Sequence, residues 1–191
     1  MKNRFIFLGM FAVFFCKAQQ IYPLNSDYEE VPNNSYLKDQ NNELSYYVGT
    51  YKANHLGNEI TIFITKDEHR LIKRIHKEFY RDILIIRYII KNSSGQILHS
   101  NQNMSFPSDQ SSYNFIQSIA TNPSQNKVTF IYSGTNCGVG WGKIILKKLN
   151  TLQISWTYIQ NSSVLTEQNC PGNPDTNVYL PDTKDLIFTK Q

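Results

Sequence analysis

Two alternating runs on either side of a short polar break, Asn150-Thr151, constrain this chain more than any other feature. Residues 142–149 and 152–159 are rich in β-branched and aromatic side chains, which suit a pleated surface. They predict a β-hairpin. Side chains alternate faces with period two, so a one-residue slip would send every apolar group to the wrong side. The pattern places Leu146 opposite Ile154 and Ile144 opposite Trp156 on an apolar face, with Lys147 meeting Gln153 and Lys143 meeting Thr157 on the other. That register leaves Leu149-Asn150-Thr151 as a three-residue loop with Asn150 left-handed, whereas a two-residue loop would set Lys147 against Ile154.

The hairpin lies between Cys137 and Cys170, each in a polar, Gly- or Pro-containing loop. Strands that diverge past the hairpin ends bring these loops together, so a Cys137–Cys170 disulfide is expected; two free thiols are the alternative. An oxidising compartment is suggested by the start of the chain. Lys2 and Arg4 precede an apolar run at 5–15, too short to span a bilayer as a helix. Cys16 and Ala18 are small residues where a signal peptidase would read them, which makes 1–18 a signal peptide. Cys16 also offers a lipidation site, although Phe15 before it is bulkier than acylation motifs prefer. Either route exports the chain to the periplasm, an outer-membrane anchor or the exterior, with membrane attachment only if Cys16 is acylated.

Loss of Lys2, Arg4 and Lys17 lowers the net charge from +4 to +1. A nearly neutral body lacks the concentrated basic surface that nucleic-acid binding needs. About 173 residues then remain, enough for one domain with a substantial core. Residues 19–45 hold Pro23, Pro32 and sparse apolar groups and read as an extended arm; residues 46–191 read as a single antiparallel β domain.

Within that domain, 46–53 and 58–66 flank a turn at 54–57 and should pair, with Ile60, Ile62 and Ile64 on one face and Thr61, Phe63 and Thr65 on the other. Residues 67–80 fit a helix face or a strand, and a strand from Leu71 after a turn is favoured. A strand of that kind puts His69 and His76 on opposite faces, so Asp67, His69 and His76 are not expected to bind metal. The run 81–91 is apolar on both faces and should lie centrally in a sheet. Residues 96–100 return along it. A short helical turn is expected around Tyr113, Phe115, Ile116 and Ile119, and strands at 127–133, 176–180 and 185–190. The glycines at 138, 140 and 142 lead into a strand with no Lys-Ser or Lys-Thr following, so they mark a bend or bulge, not a phosphate loop. Eight to ten short strands with hairpin-like links predict an all-β fold, an antiparallel barrel or sandwich.

The leader ending in Cys16-Lys17-Ala18-Gln19, the lead from Ile21 to Pro32, Gly49-Thr50-Tyr51 and the ending from Leu180-Pro181 to Thr189-Lys190 resemble an uncharacterised family of small exported Bacteroidota proteins. The resemblance implies compartment and architecture and assigns no catalytic residue. Gly49-x-Tyr51 is also similar to the Gly-x-Trp of the first strand of lipocalin-like barrels, with Tyr in place of Trp.

These readings lead to a non-catalytic envelope protein, expected to be monomeric and to need no cofactor. One form holds a small apolar or amphipathic ligand in a barrel mouth lined by some of Tyr51, Phe63, Tyr88 and Trp156; the other is a structural or protein-interaction module that meets an envelope protein. An interior filled by side chains would favour the second. No HExxH, GxSxG or paired CxxC motif suggests an enzyme.

Overall fold

The computed structural model of the chain describes residues 18–106 and 113–191. The expected signal peptide and Cys16 therefore lie, but for Ala18, outside the described residues. Among the described residues eleven strands run in chain order: β1 (Ile21–Pro23), β2 (Tyr36–Lys38), β3 (Gly49–His55), β4 (Asn58–Arg74), β5 (Lys77–Lys91), β6 (Ile97–Ser100), β7 (Ile116–Asn122), β8 (Lys127–Tyr132), β9 (Gly142–Lys148), β10 (Gln153–Gln160) and β11 (Leu186–Lys190). Eight of them close an antiparallel barrel in the order β5-β4-β3-β11-β10-β9-β8-β7, sealed by a single bridge pair, Ile85 opposite Gln117. Closure removes the exposed edges that an eight-stranded open sheet would present.

Alternation decides what enters the barrel. Ile60, Ile62 and Ile64 point inward from β4, Leu84, Ile86, Tyr88 and Ile90 from β5, and Ile144, Leu146, Ile154, Trp156 and Tyr158 from the hairpin β9–β10. The apolar outer face of β5 is explained by a second, smaller cluster, in which Phe106 and Phe115 cover Ile83 and Ile85 from outside the sheet. As expected, β5 is central: it pairs with β4, β2, β6 and β7.

Several local expectations are corrected. The β9–β10 register is shifted by two residues, with Trp156 opposite Leu146 and Tyr158 opposite Ile144. A two-residue shift keeps every side chain on its expected face, so the binary pattern cannot separate the two registers. The three-residue loop is 150–152, not 149–151, and Asn150 acts through its side chain, which accepts from the Leu152 N–H at 2.9 Å, and not through a left-handed backbone. Residues 67–74 continue β4 through a bulge between Asp67 and Arg70 at which His69 takes φ 56°, so no turn precedes Leu71; the turn comes at Ile75-His76. Residues 116–122 form strand β7, and the helical turns are short 3-10 segments at Ser45–Tyr47, Pro123–Gln125 and Asn136–Gly138. Residues 176–180 are not a strand; they cross the barrel end as an irregular strap.

Cys137 and Cys170 are joined, as expected. The segment 19–45 lies on the barrel: β1 and β2 extend the sheet in parallel from β5, Leu24 and Leu44 enter the main core, and Val31 and Leu37 pack with Phe79. Among the described residues no helix is long and apolar enough to cross a membrane.

Candidate functional site

A barrel offers a ligand its interior, reached through one of its two ends. Here the interior is filled. Tyr51, Tyr88, Tyr132, Phe130, Trp156 and Phe188 are each no more than 2% exposed and belong to one continuous core. Of the four expected ligand-lining residues, the fold brings Tyr51, Tyr88 and Trp156 into this core. Phe63 is excluded because it alternates with Ile62 and Ile64; it sits on the outer face opposite Arg87 and Thr50.

The end of the barrel near the disulfide is closed by the strap between β10 and β11. Trp156 Nε1 donates to the Pro181 carbonyl at 3.1 Å, the Tyr158 N–H donates to the Thr183 carbonyl, and Thr135 Oγ1 donates to the Thr176 carbonyl. Leu180 is 3% exposed, and Val178 packs on the core beside Gly140. A Cβ on Gly140 would come within 2.5 Å of Val178 Cγ2, on a backbone at φ +71°, so glycine here both turns the chain and lets the strap sit down. Tyr158 donates its hydroxyl to the Gly140 carbonyl on the same spot.

Beneath the strap lies a polar network that alternation alone would not reveal. Tyr88 and Tyr132 both donate to Asn114 Oδ1, at 3.1 and 3.2 Å, and Asn101 donates to the Asn114 carbonyl while its own side-chain oxygen receives the Tyr88 N–H. His99 stacks between the Tyr88 and Tyr179 rings, its Nδ1 3.1 Å from the Tyr88 hydroxyl. Tyr179 in turn donates to Asp175 at 2.7 Å. Burial raises the pKa of Tyr88, Tyr132 and Tyr158, so these hydroxyls stay protonated. Burial lowers that of His99 against the opposing pull of Asp175, which favours the neutral imidazole.

The opposite end is closed by the end of the arm and the 3-10 turn Ser45–Tyr47 that follows it. Leu44 and Tyr47 are buried there in the main core, and burial pushes the Tyr47 pKa up to about 12. A cleft of about 380 Å³ remains outside them, between Tyr46, Lys127 and Lys148. Two buried carboxylates hold the arm. Asp82 accepts from the Tyr36 hydroxyl at 2.5 Å, the Asp39 N–H at 2.9 Å and the His69 N–H at 3.0 Å. Asp39 accepts from the Glu43 and Leu44 N–H groups and lies 3.2 Å from Lys66. Burial alone would lower the Lys66 pKa, but Glu68 and Asp39 together outweigh it and raise it. With their acceptor capacity occupied by the chain itself, both carboxylates act as clamps.

Neither cluster was foreseen in the sequence. Asp82 did carry a signal, since the one carboxylate in the β run 81–91, beside a core of Ile and Leu, has to find buried donors. Asn114, Tyr132 and His99 carried none, because their partners lie on other strands. Asp67, His69 and His76 do not converge, and among the described residues no group of three or more His, Cys, Asp or Glu side chains is arranged to hold a metal.

The whole chain, residues 1–191, matches the model of a family of unknown function (DUF6705), and the protein belongs to that family. No curated protein and no solved structure matches it.

Proposed function

We propose that this family member is a non-catalytic, exported module of the cell envelope whose barrel is a plugged platform, and that it meets its partners from its outer surface. The observation that carries this reading is that both barrel ends are closed by the chain itself, by Leu44 and Tyr47 at one end and by Val178 to Leu180 at the other, over an interior already filled with aromatic side chains. The Cys137–Cys170 bridge supports an oxidising compartment outside the cytoplasm, and the leader read at 1–18 supports export.

A second reading keeps the interior as a site for a small amphipathic ligand, reached by displacing the strap. It is favoured by the polar groups gathered beneath the strap, the Tyr88 and Tyr132 hydroxyls at Asn114 and the Tyr158 hydroxyl at Gly140, which displacing the strap would free to meet the polar end of a ligand. Titration with the neutral dye N-phenyl-1-naphthylamine separates the two. The platform reading expects no saturable rise in fluorescence at neutral pH. A saturable, one-to-one rise that quenches tryptophan emission would overturn it and establish the second.

A further inference from the structure

The barrel seam is the least paired part of the sheet. β5 and β7 share one bridge pair at Ile85 and Gln117, after which Leu84 donates its N–H not to a strand carbonyl but to Ser118 Oγ at 2.8 Å. Nearer its start, β5 turns instead to β2, through Tyr36 opposite Tyr80 and Leu37 opposite Arg81. The divergence leaves a lateral groove of about 210 Å³.

Its wall is apolar on one side and cationic on the other. Phe79 and Ile83 are buried at its base, and Tyr28 stacks on Phe79 with ring centroids 5.2 Å apart. Arg74 and Arg81 both line it, with the Arg74 guanidinium carbon 5.9 Å from the Tyr28 ring centre. Arg81 also stands directly opposite Arg70 in the β4–β5 ladder, a like-charge pairing that costs stability unless it is neutralised. Arg70 has Asp67 at 2.6 Å. Arg81 donates to the Leu24 carbonyl, and among the described residues neither Arg81 nor Arg74 has a carboxylate within ion-pair distance. Burial first, and then the neighbouring Arg74 charge, lower the Arg81 pKa, which is the mark of a cation held without a counter-charge.

We propose that this groove binds a small amphipathic anion, a short-chain carboxylate whose head lies between Arg74 and Arg81 and whose tail lies on Phe79 and Ile83. Guanidinium forks match a carboxylate in two-point geometry, and the volume holds roughly seven groups the size of a water molecule, which sets the length of the tail. This deepens the outer-surface reading by naming a ligand class for one part of that surface.

The test is titration of the oxidised, exported protein with hexanoate, followed by amide chemical shifts. Saturable binding in the millimolar range is expected, with shifts confined to the end of β4 at Ile72 and Arg74, to β5 and β7, and to the residues around Tyr28. Hexanol should not bind, and Arg74→Gln and Arg81→Gln should each weaken hexanoate by about tenfold or more, with Arg74→Lys recovering part of the loss. Arg74 is exposed, so its variants fold even if loss of the Arg81 bond to Leu24 loosens the arm. Inorganic phosphate as good as hexanoate would overturn the amphipathic assignment. Hexanoate binding that is absent, or unchanged in the Arg74→Gln variant, would overturn the site. Those failures leave the naphthylamine result untouched, so the groove and the platform reading fall separately.

Discussion

Trp156→Phe asks whether that residue holds the strap or waits for a ligand. Two losses are expected if it is an anchor. The Pro181 carbonyl, on a buried residue, loses the indole donor that now lies 3.1 Å away, and a buried acceptor left unpaired costs about 1–3 kcal/mol. The smaller ring leaves a cavity of about 40 Å³ against Phe188, worth about 1 kcal/mol at the usual cost per unit volume. The sum of about 2–4 kcal/mol lowers Tm by about 4–16 °C in a domain of this size. Differential scanning calorimetry at neutral pH reads that shift, and amide hydrogen exchange locates it. Exchange should quicken first at the Tyr158 N–H, which donates to the Thr183 carbonyl of the strap, while β4 and β5 stay protected by their own ladder. A variant that melts within a degree or two of the parent, or one whose Tyr158 amide exchanges at the parental rate, refutes the anchoring role.

Further outcomes follow from the same architecture. Replacing Cys137 and Cys170 with Ser releases a loop closed over a sequence separation of 33, which should cost about 4 kcal/mol and lower Tm by about 8–16 °C; a parent-like melt would refute the loop-closure reasoning. His99 binds its proton less readily folded than unfolded, so the unfolded chain protonates first. Its neutral form costs nothing above the ordinary pKa of about 6.5, and stability falls as pH drops from there through the folded value. A His99→Phe variant keeps the stack between Tyr88 and Tyr179 and should lose less Tm than the parent between pH 7 and 5, about two units of acidification; parallel Tm curves would exclude His99 as the source. Leu56, 88% exposed with φ 49° before Gly57 at φ 80°, occupies a turn position that suits Asn. Leu56→Asn should therefore raise stability by about 0.5–1 kcal/mol in urea unfolding, and a loss would show that Leu56 is serving something other than the turn.

The periodicity of the chain determined which side of each long strand is buried, and therefore the all-β class, the β9–β10 hairpin and the central place of β5. Those properties depend on residues a few positions apart, whose spacing repeats along one strand. The approach of Cys137 to Cys170 was legible for the same reason, since one hairpin links them. Tertiary structure alone decided the rest. The β9–β10 register moved by two residues because faces survive such a slip, and the bonds that choose between registers are made with β8 and β11. Residues 176–180 alternate as a strand would, but past Trp156, where β11 stops pairing with β10, that edge is met by the Thr183 carbonyl and the Asp185 N–H, and 176–180 fold across the barrel end instead. Whether Tyr51, Tyr88 and Trp156 line a cavity or fill it also lay beyond local pattern. An aromatic residue facing inward is the same in both cases; what differs is whether the arm and the strap, distant in sequence, come back to close the two ends.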